Sequence, residues 1–204
     1  PYISGNKYRK LKYNLINAKK EGFNTLLTFG GAYSNHIAAV ASVGKEFGFN
    51  TIGVIRGEEL IDKIDFNPTL LFAKECGMKF LFISRKDYQL KTEKAFIDIL
   101  KSKFGLFYLI PEGGTNQFAV KGCSEILEKE DLNYDFICAS VGTGGTLAGL
   151  IKSSINSQNV IGFSALKGTF QLSEINKYTH KSNFKLLDDY CFGGYAKVNS
   201  QLVN

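Results

Sequence analysis

The sequence is poor in the residues that build metal and disulfide sites. It has four cysteines and two histidines in 204 residues. Cys76, Cys123, Cys138 and Cys191 are widely spaced and form no C-x-x-C pair, so neither a zinc site nor a disulfide framework is indicated. A reducing cytoplasm is the compartment that fits. Long hydrophobic runs are absent as well. No stretch approaches the roughly 20 uncharged apolar residues of a membrane-spanning helix, and the N-terminus lacks the basic, apolar and small-residue layout of a signal peptide. Internal repeats, low-complexity tracts and Pro/Ser-rich linkers are missing too. What remains is a globular composition, 44% hydrophobic and 22% charged, sufficient for a core in one or two domains. The 25 basic against 19 acidic residues give a formal charge of +6. The lysines are spread through helical segments with acidic neighbours, which reads as a solvated surface or a preference for anionic small molecules, and not as a nucleic-acid interface. The chain opens on Pro1 in mid-motif, as a fragment would.

Apolar runs alternate with amphipathic ones along the chain. Residues 8–20 place Tyr8, Leu11, Leu15 and Ala18 on one helical face, and Gly22 ends the run. Thr25 to Phe29 reads as a buried strand. Ser34 stands at an N-cap position before an alanine-rich helix that runs to about Phe47 and stops at Gly48. Further strands are expected at Thr51–Ile55, Lys79–Ile83, Phe107–Ile110, Asp135–Val141 and Val160–Ser164. Helices are expected near 68–76, 92–103 and 146–154. This alternation predicts an α/β fold of parallel sheets with helical crossovers, with ligands bound at the carboxyl ends of strands.

Three loops in such positions carry chemistry. In Val141-Gly142-Thr143-Gly144-Gly145-Thr146, the glycines let backbone N–H groups close around an anion. The following helix adds the positive end of its dipole, and two threonines add hydroxyl donors. A ligand-free turn would use the same glycines. A dinucleotide site would need an acidic residue at the end of the next strand, where Phe163-Ser164-Ala165 stands instead. A P-loop would need Gly-Lys-Ser/Thr after the glycines. The pattern suits a lone phosphate monoester. In Ser4-Gly5-Asn6-Lys7-Tyr8-Arg9-Lys10, the cations near Lys7 disfavour its ammonium form and make the free amine available to an aldehyde, although a plain basic helix start has the same residues. In Phe29-Gly30-Gly31-Ala32-Tyr33-Ser34-Asn35-His36, Ser34, Asn35 and the first helical N–H groups form a donor cluster for a carboxylate or a phenolic oxygen. An N-cap alone would also account for Ser34, and His36 is read as structural.

A nucleophilic lysine, a monophosphate cradle and a polar glycine-rich loop are the parts that hold pyridoxal 5'-phosphate. Gly5-Asn6-Lys7-x-Arg9-Lys10-Leu11, Gly30-Gly31-x-x-Ser34-Asn35, Pro111-Glu112-Gly113-Gly114-Thr115-Asn116 and Thr143-Gly144-Gly145-Thr146-x-Ala148-Gly149 occur in that order. Together they resemble the 1-aminocyclopropane-1-carboxylate deaminase and D-cysteine desulfhydrase family of tryptophan-synthase-β-like enzymes.

The resemblance implies a Schiff base between Lys7 and the cofactor, with Lys7 returning as the base at the substrate. It places Asn35 on the cofactor's phenolic oxygen, Ser34 beside the substrate carboxylate or reacting centre, and Gly142, Thr143, Gly144, Gly145 and Thr146 on the phosphate. Tyr195, in Gly193-Gly194-Tyr195-Ala196-Lys197, would stand beside the cofactor ring. Glu112 to Asn116 would wall the pocket without a catalytic role. His36 after Asn35, where the dedicated ring-opening enzymes carry glutamine, resembles the desulfhydrase-like branch.

The implied architecture has two lobes, a small domain at 22–108 and a cofactor domain at 1–21 and 109–204. Family members extend beyond both ends of this chain, so an incomplete cofactor domain is expected, and a homodimer is the family expectation. The implied activity is D-cysteine desulfhydration or 1-aminocyclopropane-1-carboxylate deamination, releasing ammonia and a 2-oxo acid. The alternatives are a non-catalytic or incomplete cofactor-binding homologue and, further off, a nicotinamide-dependent oxidoreductase.

Overall fold

The computed structural model describes residues 5–166, 168, 170–189, 191 and 200–203. Strands and helices alternate as the periodicity requires. Helix α1 spans Gly5–Lys20, followed by β1 (Thr25–Gly30), α2 (Asn35–Phe47), β2 (Asn50–Arg56), α3 (Pro68–Glu75), β3 (Lys79–Ile83), α4 (Lys94–Phe104) and β4 (Tyr108–Ile110). The second half contains α5 (Gln117–Cys123), β5 (Phe136–Val141), α6 (Gly145–Ser153), β6 (Asn159–Ser164), α7 (Phe170–Asn176) and β7 (Phe184–Leu187). Two parallel sheets result, one ordered β3-β2-β1-β4 and the other β5-β6-β7. Short helices α5 and α7, strand β7 and a 3-10 stretch at Glu58–Phe66 go beyond the sequence expectations. Each is too short for its hydrophobic period to stand out.

The chain divides into two compact units. One comprises Pro1–Tyr8 and Asn14–Gly114, the other Arg9–Tyr13 and Thr115–Asn204. In the first, β1 and β2 are buried along most of their length, and Leu27, Phe29, Ile52, Val54, Tyr88 and Leu100 form a core. A strand of a parallel sheet covered on both faces must be apolar on both, and the continuous runs Leu26–Leu27 and Ile52–Ile55 satisfy this. Helix α2 starts where the Ser34 side chain accepts a hydrogen bond from the Ile37 N–H at 3.4 Å, and ends at Gly48 in the left-handed region. In the second unit, Val120, Val141, Leu147, Ile151, Val160 and Ile175 form the core.

Helix α1 contributes to both units. Leu11, Leu15 and Ala18 are buried as expected, but Tyr8 is 37% exposed, and two polar side chains, Lys10 and Asn14, are buried on this helix instead. Asn14 is accounted for by Tyr108, whose hydroxyl donates to Asn14 Oδ1 at 3.4 Å. In the second unit, Arg9, Lys12 and Tyr13 converge on the Glu125 carboxylate. Lys12 stands 2.6 Å away, Arg9 stands 3.5 Å away, and Tyr13 donates its hydroxyl.

Bonding to Lys12 and then Tyr13 holds the Glu125 carboxyl below the usual glutamate range. A depressed carboxylate pKa contributes stability that is present above the unfolded value, near 4.3, and lost as pH falls through the folded one. The wild-type chain is therefore expected to lose more stability than Glu125→Gln on acidification below about pH 4.3. Thermal unfolding of both chains across that range checks the difference.

Candidate functional site

The glycine-rich loop runs from the end of β5 into the first turn of α6. Gly144 stands at the N-cap of α6 with φ 88°, a left-handed conformation that a residue with a Cβ adopts only under strain. Gly145 is required for a different reason. A Cβ on it would lie 2.7 Å from Thr115 Oγ1 and 3.1 Å from Lys10 Cε. The absence of a side chain at 145 is what lets a threonine and a lysine approach the start of the helix.

These two residues form a small network with the loop. The Lys10 ammonium donates to Thr115 Oγ1 at 2.9 Å and to Thr143 Oγ1 at 3.4 Å, and the two threonine hydroxyls are 2.6 Å apart. Lys10 is only 2% exposed and Thr115 8%. Holding an ammonium ion out of water is costly unless hydrogen bonds or an anion compensate. Here two hydroxyls do so in part, at the positive end of a helix dipole that itself disfavours a cation. A lysine kept there, among hydroxyls and helix N–H groups, is a donor set built for an anion. The sequence reading gave Lys10 a different part, as a cation depressing the amine of Lys7, and gave Thr115 none. The only sequence signal was their place inside two of the four motifs.

The remaining sequence-predicted residues fall as follows. Lys7 is the third residue of α1, half-buried, one helical turn before Lys10. Ser34 caps α2, and Asn35 is the exposed first residue of that helix. Lys7, Ser34 and Asn35 belong to the first unit, whereas Gly142, Thr143, Gly144, Gly145 and Thr146 belong to the second together with Lys10 and Thr115. Tyr195 lies outside the described residues.

His36 is fixed in place. Thr28 Oγ1 donates its one proton to the Ile110 carbonyl at 2.9 Å, so at the 2.9 Å contact with His36 Nε2 it must accept. That assigns the Nε2–H tautomer to a ring only 2% exposed and agrees with a structural histidine. Glu112 accepts from the Tyr88 hydroxyl at 2.8 Å, and Asn116 caps α5 by accepting from the Ala119 N–H at 2.9 Å. Both belong to the segment expected to serve as wall.

The same residues order the comparison with known proteins. A Thermotoga maritima protein named for 1-aminocyclopropane-1-carboxylate deaminase is 33% identical over 226 residues, which cover 98% of this chain and 70% of that protein. The chain belongs to this family. The bifunctional D-cysteine desulfhydrase/1-aminocyclopropane-1-carboxylate deaminase of Arabidopsis thaliana, a mitochondrial protein, is 31% identical over 72% of this chain and 41% of its own length. Among solved structures, an ACC deaminase homologue superposes with a TM-score of 0.77 at 26% identity, covering 96% of this chain and 64% of that one. Threonine deaminase shares the fold, with a TM-score of 0.55 at 18% identity. The chain thus spans about two thirds of the length of the relatives that match nearly all of it. No protein-family model matches it. Among the described residues no helix is long and apolar enough to cross a membrane.

Proposed function

We propose that the chain binds pyridoxal 5'-phosphate and takes part in the deamination of a small amino acid, by D-cysteine desulfhydration or 1-aminocyclopropane-1-carboxylate ring opening. The observation that carries this reading is the Lys10–Thr115–Thr143 network at the start of α6, a donor set of one cation, two hydroxyls and helix N–H groups. It suits a single phosphate group, and Thr115 and Lys10 can approach the start of α6 because residue 145 has no side chain.

Lys7 is the residue for covalent attachment through its amine, and for taking and returning the proton at the substrate Cα. Asn35 is assigned to the phenolic oxygen of the cofactor. Ser34 and the N–H groups opening α2 are assigned to the substrate carboxylate, which the helix dipole favours. Tyr195 is assigned to the ring of the cofactor. When bound, the cofactor supplies an electron sink that makes the Cα proton removable. The products are ammonia and a 2-oxo acid, pyruvate together with hydrogen sulfide from D-cysteine and 2-oxobutanoate from the cyclopropane.

The deciding experiment is borohydride reduction of the chain incubated with pyridoxal phosphate, followed by peptide mapping. A stable adduct on Lys7 supports the reading, and no adduct on any lysine rejects it. Lys10→Met is expected to weaken cofactor binding about 10- to 100-fold, the worth of a hydrogen bond to a charged group. Titration of the cofactor's absorbance with both chains measures this.

A further inference from the structure

The carboxyl edge of the four-stranded sheet carries a cation. Arg56 is the exposed last residue of β2, one position beyond the Gly30–Ile55 pairing with β1. Its Nη2 atom lies 3.7 Å from where a Cβ on Gly31 would stand. The guanidinium is positioned by an aromatic ring, its Cζ 5.6 Å from the centroid of Tyr88. That ring is itself immobilised. Tyr88 is 3% exposed, and its hydroxyl is bonded to Glu112. Two acids of the same unit are paired with other cations. Lys91 pairs with Glu112 at 3.5 Å, and Arg85 pairs with Glu59 at 2.6 Å. Among the described residues Arg56 makes no ion pair.

The planar fork of an arginine matches a carboxylate or another oxyanion. Arg56 lies against the Tyr88 ring, which Lys91 Nζ also approaches at 5.0 Å, and it makes no ion pair among the described residues. It also stands next to the loop that carries Ser34. The Ser34 N–H donates to the Gly31 carbonyl at 3.1 Å, closing a turn whose ends lie within about 7 Å of each other. One end of that turn is flanked by Arg56, and the other opens α2. The first unit therefore offers two separate points for negative charge, one at each end of a four-residue turn.

We propose that Arg56 is a specificity-determining residue that pairs with the β-substituent of the substrate and selects amino acids whose substituent carries, or departs with, negative charge. This rests on the reading of the preceding subsection, in which the start of α2 takes the α-carboxylate. For cysteine the step balances without any oxidant. The Cα–H bond breaks with its proton going to the base, and its electron pair becomes the Cα=Cβ bond. The Cβ–S bond breaks with its pair on sulfur, and hydrosulfide leaves. The 2-aminoacrylate so released hydrolyses to pyruvate and ammonia. Negative charge builds on sulfur, where a guanidinium can stabilise it. Opening a cyclopropane ring develops charge on carbon and gives Arg56 no anion to hold. The inference thus favours carbon–sulfur cleavage as the chemistry of this chain.

The test uses the full chain loaded with pyridoxal phosphate, together with Arg56→Gln and Arg56→Lys. Cysteate, an amino acid with a permanently charged β-substituent, is titrated against serine, in both enantiomers. The Nε–Hε signal of Arg56, assigned by its loss in Arg56→Gln, is followed by NMR. Cysteate is expected to bind about tenfold or more tighter than serine and to shift the Arg56 signal. Arg56→Gln is expected to abolish that preference, and Arg56→Lys to restore part of it. The ratio of sulfide release from cysteine to ammonia release from the cyclopropane substrate should fall in Arg56→Gln. Equal binding of cysteate and serine by the wild-type chain, or an Arg56→Gln chain that keeps the preference, overturns the proposal. A Lys7 adduct with an indifferent Arg56 rejects this inference alone. An Arg56 signal that responds in a chain forming no adduct rejects the cofactor reading and retains the anion site.

Discussion

Replacing Lys7 by alanine is expected to lower ammonia release by a factor of about 10³ and to abolish the borohydride-stable adduct, while leaving the fold intact. Both losses follow from the same amine. In the proposed reading, removing it takes away the amine assigned to cofactor attachment and to the Cα proton. Stability should change little, because Lys7 is half-buried in the first turn of α1 behind exposed Gly5 and Asn6. The expected loss is about 1 kcal/mol or less, at most about two to four degrees in Tm. Lys7→Arg separates charge from chemistry, since it keeps a cation but has no amine to attach, and it should be as inactive as Lys7→Ala. Retained activity in both variants would mean that another lysine carries the reaction. Lys10 is a poor substitute, because its ammonium is buried and committed to Thr115 and Thr143. Rates and mapped adducts from the three chains decide the assignment.

The largest effect on stability is expected at Gly122. This residue of α5 faces the backbone of α1, and a Cβ there would lie 1.9 Å from the Arg9 carbonyl oxygen and 2.8 Å from its carbonyl carbon. A backbone cannot rotate away as a side chain can, so Gly122→Ala must push one helix off the other. Alanine favours a helix over glycine by about 1 kcal/mol, but overpacking against rigid backbone costs more. A net loss of about 3 kcal/mol is expected, which lowers Tm by about 6–12 °C in a chain of this size. The position also bears on the site. Arg9 immediately precedes Lys10, so moving α1 at Arg9 shifts the ammonium that reaches Thr115 and Thr143. Gly122→Ala should therefore weaken phosphate binding as well as unfold earlier, whereas Lys10→Met should weaken binding with a smaller change in Tm. Calorimetry and cofactor titration on the two variants separate the packing effect from the charge effect.

Gly149 in α6 makes the same kind of contact, its missing Cβ leaving room for the Cys123 side chain and the backbone beyond it. In the sequence it stands only as the last residue of the Thr146-x-Ala148-Gly149 motif. The structure adds the reason, since α5 and α6 touch there and a larger residue would part them.

Much of the fold was legible in the sequence because it depends on short-range patterns. The Ser34 cap, the stop at Gly48, the buried run from Leu26 to Phe29 and the parallel alternation of strands and helices each rest on residues within a few positions of one another. The glycine-rich loop was legible for the same reason, as three glycines between an apolar run and a helix. Partners were not legible where side chains meet across long separations. Arg9, Lys10 and Lys12 look alike as basic residues at the start of a helix. Only packing against residues about 105 and 133 positions away decides that Lys10 is buried between Thr115 and Thr143, while Arg9 and Lys12 stay near the surface on Glu125. Tyr8 has the spacing of a core residue but remains 37% exposed. Arg56 reads as an ordinary charge at a strand end until the fold sets it 5.6 Å from the Tyr88 ring centroid and beside Gly31. Composition and local spacing thus determined the α/β class and the loops, because hydrophobic periodicity and glycine geometry act locally, while the family was legible through the resemblance of four ordered motifs. The charge-bearing contacts were decided by tertiary structure, because which cation is desolvated, and which carboxylate each cation meets, depends on distant residues brought together by the fold.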